Sequence, residues 1–557
     1  MSRPVNVADL VGRAVAELGA AHAFGVVGSG NFWVTNALRA HGVPFTAARH
    51  EGGAATMADA FARMSGRVSV LTTHQGCGFT NALTGIGEAA KSRTPMLVLA
   101  ADTAPADVLS NFRIDQDSAA RAVGASVERI YSAETAVDDT TRAYRLAALE
   151  HRTVVLNLPT DVQAQAAPER FATQPATQAA MPSTRTVRAE QAAITDLADL
   201  VEAARWPIFI AGRGARSASA ELRRLADRVG ALLATSAVAN GLFHDDEWSL
   251  GISGGFSSPL TAELIRDADL IVGWGCALNK WTTRGGGLLG AAASIAQVDI
   301  EQSALGAHRR VDVGVHGDVA LTAGDVETEL ERRDYTSHGY RTEAVRSRIG
   351  RESRWRDLPY DDISTAATID PRTFSVWLDS LLPAQRIVAV DSGNFMGYPS
   401  AYLSVPDENG FCFTQAFQSI GLGLATAIGA ATARPDRLPV AALGDGGFLM
   451  SVAELETVVR LGLPMLIVVY NDHAYGAEVH HFADGRDEQL ETVRFPESDL
   501  AAIGRGFGAE GVTVRSVRDM DAINDWLSGP RQVPLVVDVK IASDGGSWWL
   551  AEAFRSH

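Results

Sequence analysis

Two strand ends constrain this chain more than any other feature. Gly444-Asp445-Gly446-Gly447 closes the apolar run Leu438 to Leu443, and Asn471-Asp472 closes the apolar run Met465 to Tyr470. Short apolar runs bounded by turn residues read as buried strands. Between them Ser451 and Glu454 spell S-x-x-E, which predicts a capping box opening a helix that stops around Gly462 and Pro464. Strand, helix and strand make a βαβ unit with parallel strands and a right-handed crossover. Asp445 and Asn471-Asp472 then both lie at carboxyl ends of strands, where open α/β sheets bind ligands.

The residue types at these ends suit a metal diphosphate. Asp445 and Asp472 supply hard oxygen ligands for Mg²⁺ or Ca²⁺, while the amides of Gly446 and Gly447 can approach a phosphate with no Cβ in the way. Gly-Asp-Gly alone also spells an ordinary tight turn. A second acidic turn one helix later makes the pattern specific.

A chain of 557 residues has room for about three domains. Its formal charge of −17 argues against a nucleic-acid or anionic-membrane surface. Cys77, Cys276 and Cys412 lie far apart, which gives neither a disulfide framework nor a zinc site. No apolar run reaches membrane-spanning length, and the first twenty residues, with Asp9 and Glu17, read as an amphipathic helix. The expectation is a cytoplasmic enzyme.

In chain order, a helix is predicted over Val7 to Leu18 and strands over 23–27, 45–49, 68–73 and 95–100. His50-Glu51-Gly52-Gly53 turns directly into a helix of small residues, and His74 to Gly78 leads into a helix starting near Asn81. Alternation of this kind predicts an α/β fold built from doubly wound parallel sheets. The expected domains are 1–165, a linker over 166–188 rich in Ala, Gln, Pro and Thr, a central α/β domain over 189–330, a charged connector over 331–365, and a third domain over 366–557. The arginines of the connector (Arg341, Arg346, Arg348, Arg351, Arg354, Arg356) read as a solvated helical face.

Taken together, Gly-Asp-Gly and the Asn-Asp turn resemble the thiamine-diphosphate (ThDP) enzymes, whose signature is GDG, a helix-strand spacer and Asn-Asn. The likeness covers nearly the whole chain and is nearest to the acetolactate synthase, benzaldehyde lyase and benzoylformate decarboxylase branch. It implies pyrimidine-binding, central and pyrophosphate-binding domains, with ThDP and Mg²⁺ as cofactors. The metal would be held by Asp445, by Asp472 in place of the family's second Asn, and by the carbonyl of Ala474, with Tyr475 and Gly476 following. Glu51, in Arg49-His50-Glu51-Gly52-Gly53-Ala54, matches the family's R-H-E-x-x-A. There a buried carboxyl drives the aminopyrimidine toward the tautomer that removes the cofactor's C2 proton. A helix N-terminus also favours a glutamate, which explains the charge but not its flanking residues.

By the same likeness, Gly444, Gly446, Gly447, Gly393, Asn394 and Phe395 contact the diphosphate. Asn81 binds cofactor, and Gln418 and Ile420 hold the pyrimidine edge, with Ile420 as the wedge that bends the cofactor; Ile420 could equally be plain core. His74 and Ser29 match active-site residues of benzoylformate decarboxylase and suggest proton handling beside the substrate. Ile114-Asp115-Gln116 and Gly78 to Asn81 look like benzaldehyde lyase, which places Gln116 among the catalytic candidates. His480 and His481 border the substrate space in relatives. The segment Gly275-Cys276-Ala277-Leu278 stands where acetolactate synthase has a G-A-R-F-like segment whose arginine holds FAD, and that arginine is absent here, which counts against FAD.

The resemblance implies a carboligase that decarboxylates a 2-oxo acid and transfers the acyl-anion equivalent to a carbonyl acceptor. Alternatives are a non-ligating decarboxylase, which His74 and Ser29 support, a flavin-dependent oxidase and a non-catalytic relative. It also implies a homodimer or homotetramer with active sites shared between subunits.

Overall fold

The computed structural model describes residues 5–171, 186–482, 487–543, and the single positions 545, 547 and 549. Three six-stranded sheets organise it, and every strand pairing within them is parallel. The first runs across in the order Phe45–Ala47, His22–Gly25, Ser69–Thr73, Met96–Asp102, Thr153–Pro159, Ser126–Arg129. The third runs Phe411–Phe413, Arg386–Val390, Leu438–Gly444, Leu466–Asn471, Leu535–Lys540, Glu510–Val514. Counted within each domain, both orders are 2-1-3-4-6-5. The central sheet differs, running Val313–His316, Ser294–Asp299, Leu270–Trp274, Pro207–Ala211, Leu232–Thr235, Ser249–Ile252, or 6-5-4-1-2-3. The expected three doubly wound parallel-sheet domains are present.

Strands buried on both faces explain the near-continuous Val, Ile, Leu and Ala runs that marked them in the sequence. Strand Leu438–Gly444 pairs directly with Leu466–Asn471, Gly444 opposite Tyr470, so the two acidic turns are neighbours at one sheet end. Small residues let the first and third domains approach closely. Helix Glu51–Ser65 packs on helix Gly423–Ala433, and a Cβ at Gly429 would lie 2.2 Å from the Met57 carbonyl oxygen. One methyl there would push the two domains apart.

Three local expectations are corrected. The helix placed near Asn81 begins at Cys77, because Gly76 takes a positive φ of 62° and turns the chain immediately after His74-Gln75. The Ser451/Glu454 capping box does not form. Helix Asp445–Met450 ends before Ser451, Ser451 Oγ donates to the Gly447 carbonyl, and helix Glu454–Arg460 has no side-chain cap. Glu454 instead reaches the first domain and accepts the Arg49 and His50 amides at 3.0 and 2.9 Å. The connector arginines are not simply solvated either. Arg341 pairs with Asp227, Arg346 with Glu247 and Arg348 with Glu263 of the central domain, while Arg356 pairs with Asp379 of the third. Most of the linker, 172–185, lies outside the described residues. Among the described residues no helix is long and apolar enough to cross a membrane.

Candidate active site

All the third-domain positions singled out for cofactor and metal, from Gly393 to Gly476, line one cavity of about 1860 Å³. Asp445 starts the helix after strand Leu438–Gly444 and is 7% exposed. Burial pushes its carboxyl up to about 6, against the opposing pull of backbone amides including that of Gly446. Behind it, Lys540 Nζ lies 3.0 Å from Asp538, and Asn471 donates to Asp538 at 2.8 Å. That lysine is thereby spent, leaving a buried carboxylate that a divalent cation would satisfy. The turn carrying Ala474 is pinned by hydrogen bonds from Tyr475 N to Val493 O and from Phe495 N to His473 O, at 2.9 and 2.8 Å.

The glycines here are required by space. A Cβ on Gly446 would meet the Tyr475 ring at 2.6 Å, on Gly447 Asp391 Oδ2 at 2.3 Å, and on Gly476 Asp472 Oδ2 at 2.2 Å. Among the described residues no group of three or more His, Cys, Asp or Glu side chains converges as a metal cage. Two carboxylates and a carbonyl, with the remaining positions left to phosphate and water, fit Mg²⁺, which keeps waters and takes substrate phosphates as ligands. The donor set and the bare glycine backbone therefore fit a metal diphosphate.

Sequence reasoning missed the groups that shape this half-site. Asp391 is fully buried, and its carboxylate accepts the Gly421 and Leu422 amides at 3.0 and 3.2 Å, just beyond Ile420. Burial pushes this carboxyl up to about 6 even though those amides favour its ionised form. The C-terminal segment covers Asn394: Ser547 Oγ donates to Asn394 Oδ1 at 2.6 Å, and Trp549 Nε1 to the Asn394 carbonyl at 2.8 Å. Glu478 lines the cavity, whereas His480 and His481, further along helix Gly476–His481, do not. A short helix offers one face to the cavity, and the sequence did not fix which.

The first domain builds a second cluster. Glu51 opens its helix half-buried, and Asn81 Nδ2 donates to Glu51 Oε2 at 3.0 Å. Gly78 leaves backbone beside the other oxygen, since a Cβ there would lie 3.1 Å from Glu51 Oε1. His74 Nδ1 lies 2.8 Å from the Gln75 carbonyl, which can only accept, so the proton sits on Nδ1. Nε2 is then left to accept from the Ser29 hydroxyl, 3.2 Å away. The Phe112 ring meets the imidazole edge-on at 4.9 Å.

Gln116 is a correction. It is 1% exposed, its Nε2 donates to the Ala101 carbonyl and Asn157 Oδ1, and its Oε1 accepts the Gly76 amide at 2.9 Å. Every hydrogen-bonding group is used inside the domain, so Gln116 fixes the Gly76 turn and does not face substrate. Gln116→Ala leaves the buried Gly76 amide unpaired and is expected to cost about 1–3 kcal/mol of stability, read by urea unfolding.

None of Glu51, His74, Ser29 and Asn81 lines the third-domain cavity of the same chain. Phe112, which meets His74, and Phe32 and Trp33, which follow Ser29 by three and four residues, are each more than 40% exposed.

Comparison with known proteins meets this geometry. Three domain models match: the thiamine pyrophosphate enzyme N-terminal TPP binding domain over residues 5–119, the central domain over 194–326, and the C-terminal TPP binding domain over 391–539. The chain belongs to the thiamine pyrophosphate enzyme family. Its TPP binding domains indicate thiamine diphosphate as cofactor. Among relatives of this thiamine pyrophosphate enzyme is a sulfoacetaldehyde acetyltransferase of Alcaligenes xylosoxydans xylosoxydans, 28% identical over 538 residues, 90% of this chain and 87% of the relative. An acetolactate synthase large subunit of Parasynechococcus marenigrum (strain WH8102) is 27% identical over 88% of this chain and 80% of its own length. A probable 2-ketoarginine decarboxylase of Pseudomonas aeruginosa is 27% identical over 92% and 89%.

Proposed function

We infer that this thiamine pyrophosphate enzyme decarboxylates a 2-oxo acid and joins the remaining acyl unit to a carbonyl acceptor, with Mg²⁺ tethering the diphosphate. The observation that carries this reading is the pair of half-sites: a metal-diphosphate cradle at Asp445 and Asp472, and a carboxylate, Glu51, on a separate domain. When bound, thiamine diphosphate supplies the electron sink that lets CO₂ leave. The chain supplies the rest. Asp445, Asp472 and the Ala474 carbonyl would hold the cation, and Gly446 and Gly447 admit the diphosphate. Ile420 would support the bend, and Glu51 would hold a proton at its carboxylate against the pyrimidine ring.

Since Glu51 does not line the cavity that holds Asp445 in its own chain, the reading takes two chains, each supplying what the other lacks. Two-fold symmetry produces such a site twice per dimer. The exposed rings of Phe112, against His74, and of Phe32 and Trp33, just after Ser29, suit burial by that partner. Carboligation is favoured because full-length relatives include an acetyltransferase and a synthase. The test incubates the protein with candidate 2-oxo acids, with and without aldehydes, and follows CO₂ and products. Product that forms only with acceptor present supports ligation, and free aldehyde regardless of acceptor sinks it.

The second reading, simple decarboxylation, is favoured by one contact, His74 Nε2 to Ser29 Oγ. That pair can pass a proton to a carbon centre beside it. His74→Ala is therefore expected to change the ratio of aldehyde to ligated product more than the rate of CO₂ release. An unchanged ratio at unchanged rate would leave His74 a structural residue.

A further inference from the structure

The loop ending at Ile420 is suspended between two buried carboxylates from different domains. On its far side Asp391 of the third domain accepts the Gly421 and Leu422 amides. On its near side Glu88 of the first domain accepts the Ala416 amide at Oε1 and the Phe417 amide at Oε2, at 3.0 and 2.6 Å. Between these anchors lie Gln418, Ser419 and Ile420, and Gln418 is held at a φ of 59°, a region that non-glycine residues rarely occupy.

Glu88 is itself clamped. Arg63 Nη2 lies 2.7 Å from Glu88 Oε1, Arg63 Nε donates to Asp59 at 2.9 Å, and Arg63 Nη1 donates to the Phe413 carbonyl at 2.9 Å. Arg216 of the central domain donates to the Arg63 carbonyl at 2.7 Å, so all three domains meet here. Burial alone would raise the Glu88 carboxyl, but Arg63 and the Phe417 and Ala416 amides outweigh it and hold the group ionised.

We propose that Glu88, clamped by Arg63, is a positioning residue that fixes the backbone of the pyrimidine-gripping loop, Gln418 to Ile420, of its own chain. This rests on the cofactor reading above. The side chains of Ala416 and Phe417 are exposed, so Glu88 holds main-chain atoms alone. Main-chain atoms one and three residues beyond Phe417, the Gln418 carbonyl and the Ile420 amide, are those expected to grip the pyrimidine. Docking two domains needs only an apolar contact. A buried carboxylate spent on two consecutive amides fixes direction as well as distance. The first domain then serves cofactor twice, through Glu51 at one end of its helix pair and through Glu88 at the other.

The experiment titrates full-length protein with thiamine diphosphate and Mg²⁺ by tryptophan fluorescence, alongside kinetics and urea unfolding of the apoprotein. Glu88→Gln is expected to weaken thiamine diphosphate binding about 10- to 100-fold, the worth of one charge-assisted hydrogen bond, with most of kcat returning at saturating cofactor. The Asp59→Asn/Arg63→Met/Glu88→Leu triple variant, which leaves none of the three clustered charges unpaired, is expected to show the same loss with a near wild-type urea midpoint. Affinity within about twofold of wild type in either soluble variant, with a lowered urea midpoint, overturns the proposal and leaves a domain clamp. Failure of both variants to fold overturns it in the same direction. Wild-type protein that takes up no thiamine diphosphate would instead sink the cofactor reading, and with it this one.

Discussion

Glu51→Gln is expected to lower turnover roughly 10²–10⁴-fold while leaving cofactor uptake intact. The amide keeps the shape of the side chain and can still pair with Asn81, whose Nδ2 lies 3.0 Å from Glu51 Oε2. What it loses is the ability to share a proton at Oε1, beside the bare backbone of Gly78. Exchange of the cofactor's C2 proton, followed by NMR, isolates this step from binding and from product release. Wild-type exchange in the variant would show that another residue carries the role.

Asp445→Ala is expected to abolish cofactor retention. The variant should leave a desalting column free of thiamine diphosphate under conditions where wild type keeps it. Its apoprotein should be at least as stable as wild type in urea, because the substitution removes a buried carboxylate whose ionisation burial opposes. Full activity of metal-stripped, cofactor-free wild type would refute the site. The two variants also report on assembly. Mixed in equal amounts under conditions of subunit exchange, Glu51→Gln and Asp445→Ala chains should recover about a quarter of wild-type activity, one intact site in each heterodimer. Zero activity after demonstrated exchange would end the shared-site reading.

What the sequence made legible was local and periodic. The βαβ unit around Asp445 and Asp472 was readable because buried parallel strands are apolar end to end and turn residues mark where they stop. What it hid depends on partners far along the chain. Ser451 and Glu454 have the spacing of a cap, yet Glu454 is spent on the Arg49 and His50 amides, a tertiary demand that overrides the local motif. Gln116 shares its neighbourhood with site residues, but only the fold shows it turned inward. Asp391 and Glu88 carry no motif, since a carboxylate that binds loop amides can stand anywhere the backbone brings it. The first and third sheets share one strand order without visible sequence identity, because order is set by chain path and not by particular side chains.

That reach from Glu454 back to Arg49 spans 405 residues. At about 5–20 residues per second a ribosome needs roughly 20–80 s to make the intervening chain. Throughout that time the Ala-rich face of helix Glu51–Ser65 waits without helix Gly423–Ala433 to cover it. The nascent first domain therefore presents an uncovered apolar surface for far longer than a domain takes to collapse, and chaperone dependence and aggregation during synthesis should concentrate there.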